Sequence, residues 1–157
     1  MKVFLLTLTT LFGVSAFAAD NIACGQYLAC GQYSGISTTT VVGGADTTRW
    51  IELITIQPGS NWVTADVIFA VTYLDNRQAK ERMTMIFDNE GNFDLVSYGT
   101  KIGSGVCINK VCEYSYRYSS SHSSTGRLSF SENALVRSEN QKINGKTYRL
   151  EQNFPKL

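Results

Sequence analysis

The feature that most constrains the fold is a series of short apolar or alternating runs from Tyr33 to Phe154, each closed by a cluster of Gly, Asn, Asp, Pro or Ser. Alternation with a period of two places successive side chains on opposite faces of a strand. Residues 47–57 illustrate it, being rich in β-branched and aromatic side chains and followed by a Pro-Gly-Ser-Asn turn. Residues 74–83 have no sustained apolar face and are predicted to form a long connection. The pattern predicts an all-β chain of about eight to nine strands.

The clearest hairpin signal is Ile-Asn-Gly-Lys at residues 143–146. Asn-Gly tolerates the positive φ angles that both central positions of a type I′ turn require. The resulting register sets Gln141 opposite Tyr148 and Leu135 opposite Phe154. Links of hairpin length throughout the chain predict an antiparallel up-and-down barrel, with a two-sheet β-sandwich as the alternative.

A family resemblance supports the barrel. Residues 31–35, Gly-Gln-Tyr-Ser-Gly, open the first strand after a cysteine-bearing lead and resemble the Gly-x-aromatic start of lipocalin-like (calycin) barrels. The meander of short strands is also similar in length and spacing. The chain has Tyr33 where the lipocalin signature has Trp, and it lacks the later motifs of the family. The resemblance therefore implies a barrel shape, and no functional residue is carried over from it.

The N-terminus has the layout of an export signal at residues 1–18. Lys2 gives a positive start, an apolar stretch follows at residues 3–12, and Ala16 and Ala18 provide the small residues that a signal peptidase requires. The apolar stretch is too short for a permanent membrane helix. We therefore expect cleavage after Ala18 and an exported protein, periplasmic or secreted, that does not span the membrane. The remaining residues, 19–157, are expected to form a single all-β domain.

Four cysteines in an exported chain are expected to form disulfides. A two-residue turn between Cys107 and Cys112 would set them opposite each other at a Cα separation of about 4.5 Å, within disulfide range. Cys24 and Cys30 need a bend in the chain to meet, and pairing both with the other two cysteines would need the same bend. Local pairing, Cys24–Cys30 and Cys107–Cys112, is the simpler prediction, although a long cross-link would stabilise the fold more. Zinc binding is the rival interpretation, but the spacings suit zinc poorly.

Charge and motif content argue against several functions. With 14 basic and 13 acidic residues, the chain lacks the basic surface of a nucleic-acid binder. The only histidine, His122, lies in a Ser-rich run that is predicted to be a solvated loop, and no G-x-S-x-G context is present. No carboxylate pair, metal-ligand set or phosphate-binding loop stands out. We therefore expect a protein that is not an enzyme and that uses neither a cofactor nor a metal.

An alternating aromatic strand is the best candidate for a binding site. Tyr114, Tyr116 and Tyr118 share one strand face, and with Met83 and Met85 they are predicted to line a ligand cavity. A packed core with surface tyrosines is the alternative explanation. The predicted function is an exported small β-barrel that binds an apolar or amphipathic small molecule. The alternative function is a protein-interaction module, such as a secreted inhibitor or an envelope adaptor.

Overall fold

The computed structural model describes residues 21–157, so the predicted signal peptide at residues 1–18 lies outside the described residues. Ten strands follow one short N-terminal helical turn, Ala23–Tyr27. The strands are β1 Gly31–Val41, β2 Thr47–Pro58, β3 Thr64–Tyr73, β4 Gln78–Phe87, β5 Asn92–Ser97, β6 Thr100–Ile108, β7 Val111–Ser119, β8 His122–Phe130, β9 Ala134–Ile143 and β10 Lys146–Pro155.

All ten strands form one closed antiparallel barrel. Each strand pairs with its neighbours in sequence, and β1 pairs with β10 to close the sheet, with Thr39 opposite Leu150 and Val41 opposite Tyr148. Closure leaves no long unpaired sheet edge. The predicted all-β up-and-down barrel is therefore confirmed, in preference to the two-sheet sandwich, with ten strands instead of eight to nine.

The strand that the sequence pattern missed is β8, because its Ser-rich first half was predicted to be a solvated loop. Ser123 pairs with Lys142, and Ser124 pairs with Tyr116 on one side and Gln141 on the other. Small side chains are required here because the large tyrosine rings of β7 fill the interior beside them. The polar composition therefore reflects close packing next to β7, and the predicted loop is wrong.

The predicted long connection at residues 74–83 is also wrong, because β4 already begins at Gln78. Only residues 74–77 form the turn between β3 and β4. Outward-facing Lys80 and Arg82 alternate with the inward-facing carboxylate of Glu81, so no apolar periodicity marks this half of the strand. Because the inward-facing Glu81 is polar, this part of the strand lacks the alternation of apolar and polar residues that predicts a strand.

Two tight turns follow the predicted geometry. Asn144 and Gly145 have φ angles of 49° and 80°, and Leu135 lies opposite Phe154 at the far end of the same hairpin. Cys107 lies opposite Cys112 with a Cα separation of 4.0 Å, across a turn whose two central residues also have positive φ.

One end of the barrel, which we call the closed end, is filled by apolar side chains and covered by the N-terminal helical turn. Cys24 and Cys30 pair across this turn with a Cα separation of 5.2 Å, and Tyr27 stacks on Phe87 at 4.8 Å between ring centroids. Two cysteine pairs at disulfide distance, as predicted, are typical of a protein in an oxidising compartment. No helix within residues 21–157 has the length and apolarity needed to cross a membrane.

The tyrosines of β7 fit inside the barrel because their neighbours are small. Tyr114 lies between Gly105 on β6 and Gly126 on β8, and Tyr116 lies between Gly103 and Ser124. A methyl group added at Gly126 would lie 2.5 Å from the Tyr114 hydroxyl oxygen, well inside van der Waals contact. Glycine is therefore required by close approach at this position.

We predict that Gly126→Ala destabilises the barrel by about 1–3 kcal/mol, since the added methyl must displace a ring that hydrogen bonds hold in place. The free energy of unfolding from urea denaturation is the measurement. Gly25→Ala is the matched control, because an added methyl there meets no atom within 4 Å and should change stability by less than about 0.5 kcal/mol. Equal stabilities for the two variants would contradict this account of the packing.

Candidate functional site

A buried ion-pair cluster crosses the middle of the barrel. Arg137 on β9 forms ion pairs with Glu52 on β2, at 2.7 Å from Nη1 to Oε1, and with Glu139 on its own strand, at 2.5 Å from Nη2 to Oε2. All three side chains are at most 8% exposed. Ser37 donates a further hydrogen bond of 2.5 Å to Glu52. One guanidinium therefore joins two strands across the interior.

Glu139 is the most heavily hydrogen-bonded side chain of this cluster. Its carboxylate accepts hydrogen bonds from the hydroxyls of Tyr114 and Tyr116, both at 2.8 Å, from the hydroxyl of Ser124 and from the amide of Gln141 at 3.0 Å. The charge-assisted donors replace the water that the carboxylate loses on burial. The tyrosine face of β7 is therefore held in place by a carboxylate of β9.

The protonation states follow from this geometry. Burial alone would raise the pKa of Glu139, but the charge of Arg137 and the surrounding donors outweigh burial and hold that pKa at about 2. Burial, reinforced by the charge on Glu139, raises the pKa of both Tyr114 and Tyr116 above the ordinary value of 10. Both phenols therefore stay protonated and donate, while both carboxylate oxygens of Glu139 accept.

The ion-pair cluster divides the barrel interior into two parts. On the closed-end side lies the packed core, with a void of only about 30 Å³ beside Met85 and Leu95. On the other side lies a cavity of about 460 Å³ that opens at the end of the barrel away from the helical turn. Arg137 borders both spaces, and the ring of Phe69 lies 4.8 Å from its guanidinium carbon. We call Glu52, Phe69, Arg137 and Glu139 the floor.

The walls of the open cavity are mainly aromatic. The Trp50 and Tyr73 rings pair across β2 and β3 at 6.5 Å between centroids, and Tyr116 and Tyr118 meet edge to face at 5.1 Å. Tyr98 stands at the rim with 93% of its surface exposed. The rings that line the cavity are those of Trp50, Phe69, Tyr73, Tyr98, Tyr116, Tyr118 and His122.

One carboxylate in the cavity wall forms no ion pair among the described residues. Glu81 faces inward on β4, opposite Phe69, and takes part in no hydrogen bond or ion pair with the side chains of residues 21–157. Burial raises the pKa of Glu81, although the charge of Arg137 counteracts part of this effect. Glu81 therefore differs from Glu52 and Glu139, whose charges are compensated.

Two more polar groups in the wall lack partners. The Tyr118 hydroxyl and the His122 Nε2 atom are buried without a hydrogen-bond partner among the described residues, and their ring centroids are 5.2 Å apart. His122 thus lies in a strand beside the cavity, contrary to its predicted place in a solvated loop. Within residues 21–157, no group of three His, Cys, Asp or Glu side chains is arranged to hold a metal ion.

The structure separates the five predicted site residues into two groups. Met83, Tyr116 and Tyr118 line the open cavity. Met85 and Tyr114 lie beneath it, around the small void, where Met85 is 2% exposed and Tyr114 bonds to the floor. The first three therefore lie on the surface of the open cavity, where Met83 and Tyr116 border the small void as well, and the other two lie below it.

Sequence reasoning missed three charged residues that shape this site: Glu52, Glu81 and Arg137. Each occupies a strand position with the same parity as buried apolar neighbours, for example Glu52 with Ile54. A charged residue that alternates in step with buried apolar residues indicates a charge inside the barrel. Such a charge is expected to have a partner, because burial of an unpaired charge is unfavourable. The alternation is visible in the sequence, whereas the pairing of Glu52 with Arg137, 85 positions away, is not.

We predict that Glu139 contributes stability that disappears in acid. Because its folded pKa lies below its ordinary value of 4.5, the contribution is complete above about pH 4.5 and is lost as the pH falls toward 2. The linked loss is on the order of 3 kcal/mol. Urea denaturation between pH 5 and pH 2 should show this loss in the wild type and a much smaller one in Glu139→Gln. The exposed control Glu132→Gln should follow the wild type, and an equal acid loss in all three proteins would contradict the prediction.

We predict the opposite pH dependence for Glu81. Its folded pKa is raised above 4.5, so its contribution to stability is most favourable below that pH and is lost as the pH rises through the folded value. Glu81→Gln should therefore raise the melting temperature at pH 7, and this gain should vanish near pH 4. Glu132→Gln is again the control. A Glu81→Gln variant that is less stable than the wild type at pH 7 would show that the carboxylate is compensated after all.

No protein-family model matches this chain, and no curated protein is significantly similar to it. The closed antiparallel meander is compatible with a lipocalin-like barrel. Its ten strands differ from the eight of a lipocalin, however, and membership of that family has no support from a family match.

Proposed function

We propose that this barrel binds a small amphipathic molecule in the open cavity above the floor. The observation that carries the proposal is the combination of a cavity of about 460 Å³, aromatic walls and a polar floor inside one end of a barrel whose other end is packed. Ligand sites typically enclose about 300–1,000 Å³ and combine apolar walls with a few fixed polar groups. A cavity of this size would bury most of the surface of a small ligand.

The preformed floor supports binding at this place. Three interlocked charges and the hydroxyls that solvate Glu139 hold the lower surface of the cavity in one arrangement before any ligand enters. A site that is ordered in advance loses less conformational entropy on binding. The Tyr118 hydroxyl and the His122 Nε2 atom, buried in the wall beside this floor, form no hydrogen bond with the described residues.

The rim adds a feature that fold stability does not explain. Tyr98 has a φ angle of 48°, a conformation that is unfavourable for a bulky side chain, and it stands almost fully exposed beside the opening. Asn or Gly is the usual residue at such a turn position. An aromatic residue retained there is consistent with contact to a bound molecule.

We propose that the protein acts by binding and not by catalysis. The lone histidine has no serine hydroxyl within hydrogen-bonding distance of its Nε2 atom among the described residues, and Glu52 and Glu139 are engaged by Arg137. The His122 Nε2 atom therefore activates no serine of the described residues, and Arg137 compensates the charge of both carboxylates. Export to the periplasm or the exterior is part of the same proposal, supported by the cysteine pairs and by the N-terminal sequence.

The alternative function, a protein-interaction module, has one observation in its favour. Ile36 and Ile51 lie opposite each other on the outer face of β1 and β2, and both are more than half exposed. Exposed apolar side chains that adjoin each other are a common element of protein interfaces. This outer surface is separate from the cavity, so binding of a partner there would not depend on the aromatic walls.

The proposal predicts saturable binding of N-phenyl-1-naphthylamine, an uncharged aromatic probe at pH 7, with a Kd on the order of 100 μM or tighter. In a Trp62→Phe variant, Trp50 is the only remaining tryptophan and lines the cavity. Energy transfer from Trp50 to the probe therefore reports binding close to the cavity.

A matched pair of substitutions locates the site. Ala79→Phe adds a ring to an inward position in the cavity wall and should abolish probe binding, whereas Ala70→Phe adds the same ring on the outer face and should leave it unchanged. Absence of saturable energy transfer, or equal effects of the two substitutions, would contradict the proposed function.

A further inference from the structure

The inward-facing charges of the barrel do not balance. Three carboxylates, those of Glu52, Glu81 and Glu139, face the interior, and Arg137 is the only guanidinium among the described residues that faces it with them. Arg137 is already shared by Glu52 and Glu139. Glu81 is therefore left without a counter-charge in a half-buried position, where a carboxylate gains a great deal from a cation.

No other cation of the described residues supplies that counter-charge. Lys80 borders the opening but occupies an outward-facing position of β4, is exposed, and forms no ion pair. Arg77 at the turn between β3 and β4 is bound to Asp75 at 2.6 Å and covers the ring of Tyr73. Glu81 thus forms no ion pair of its own among the described residues, and the open cavity gives a small molecule access to it.

The neighbouring groups suit a positively charged nitrogen. Two rings in the same cavity wall, Trp50 and Tyr118, have no arginine or lysine of residues 21–157 over them, unlike Phe69 and Tyr73. Aromatic faces attract cations, and tryptophan does so most strongly. The Tyr118 oxygen and the imidazole of His122, which lie in the same wall, add polar atoms that have no partner among the described residues.

We infer that the ligand of the open cavity carries a cationic nitrogen on an apolar or aromatic body, with Glu81 as its counter-ion. This inference rests on the proposed function, because it assigns the charge of a ligand bound at the same site. The apolar body lies against the rings of the wall, and the ammonium or substituted ammonium group lies beside Glu81. The raised pKa of unliganded Glu81 is consistent with a carboxylate that lacks its partner.

Three probes of matched shape test the inference at pH 7: 4-phenylbutylamine, which is cationic, 4-phenylbutanol, which is neutral, and 4-phenylbutyrate, which is anionic. Isothermal titration or displacement of N-phenyl-1-naphthylamine measures each Kd. We expect the amine to bind about tenfold or more tightly than the alcohol, and the carboxylate to bind most weakly. In Glu81→Gln the affinity for the amine should fall to that of the alcohol, while the affinity for the alcohol stays the same.

The controls separate this inference from the proposed function. Glu132→Gln, which removes an exposed carboxylate at the closed end, should keep the preference for the amine. Melting curves verify that each variant folds. Equal affinities for the three probes, a preference for 4-phenylbutyrate, or an unchanged amine preference in Glu81→Gln would overturn the inference and leave the binding cavity in place. Failure of all three probes and of N-phenyl-1-naphthylamine to bind would overturn both.

Discussion

The ion-pair cluster of Arg137 with Glu52 and Glu139 is the interaction on which the rest of this structure depends. It connects β2 to β9 through the interior, and it fixes the tyrosine face of β7 through hydrogen bonds to Glu139. A buried ion pair is not by itself strongly stabilising, because desolvation offsets much of the attraction between the charges. Its consequence here is architectural, since a layer of fixed charge separates a packed core from an open cavity.

The two halves of the barrel interior therefore differ in how fully they are packed and in whether their polar groups have partners. Below the floor, apolar side chains such as Leu135 and Phe154 pack fully and the helical turn covers the end. Above it, aromatic rings leave a space, and the polar groups Glu81, Tyr118 and His122 remain uncompensated. A domain selected for stability alone would fill that space with apolar side chains. Uncompensated groups that surround an open cavity are typical of functional sites, where stability is sacrificed locally.

The sequence predicted the parts of the fold that local chemistry specifies, and missed those that depend on packing across the barrel. Asn144-Gly145 predicted one hairpin, and the spacing of Cys107 and Cys112 predicted another, because a tight turn fixes the pairing of the two strands that it joins. Strand β8 was not predicted because its serines and Gly126 resemble a loop in composition. These small residues leave room for the rings of Tyr114 and Tyr116 on the next strand. The alternating tyrosines predicted the cavity wall. The roles of Glu81 and Arg137 could not be predicted, because they depend on barrel closure, which brings distant strands opposite each other.

The most direct test of this division of the interior is a methyl NMR titration with N-phenyl-1-naphthylamine. Met83 and Met85, the methionines of the described residues, lie on one strand two residues apart. Met83 borders both the open cavity and the small void, whereas Met85 borders the void and not the cavity. With ¹³C-labelled methionine methyls, saturation with the probe should shift the Met83 signal through the probe's ring current and leave the Met85 signal nearly unchanged. A Met85 shift as large as that of Met83, or bound probe with no shift at Met83, would contradict a cavity bounded by the Arg137 floor.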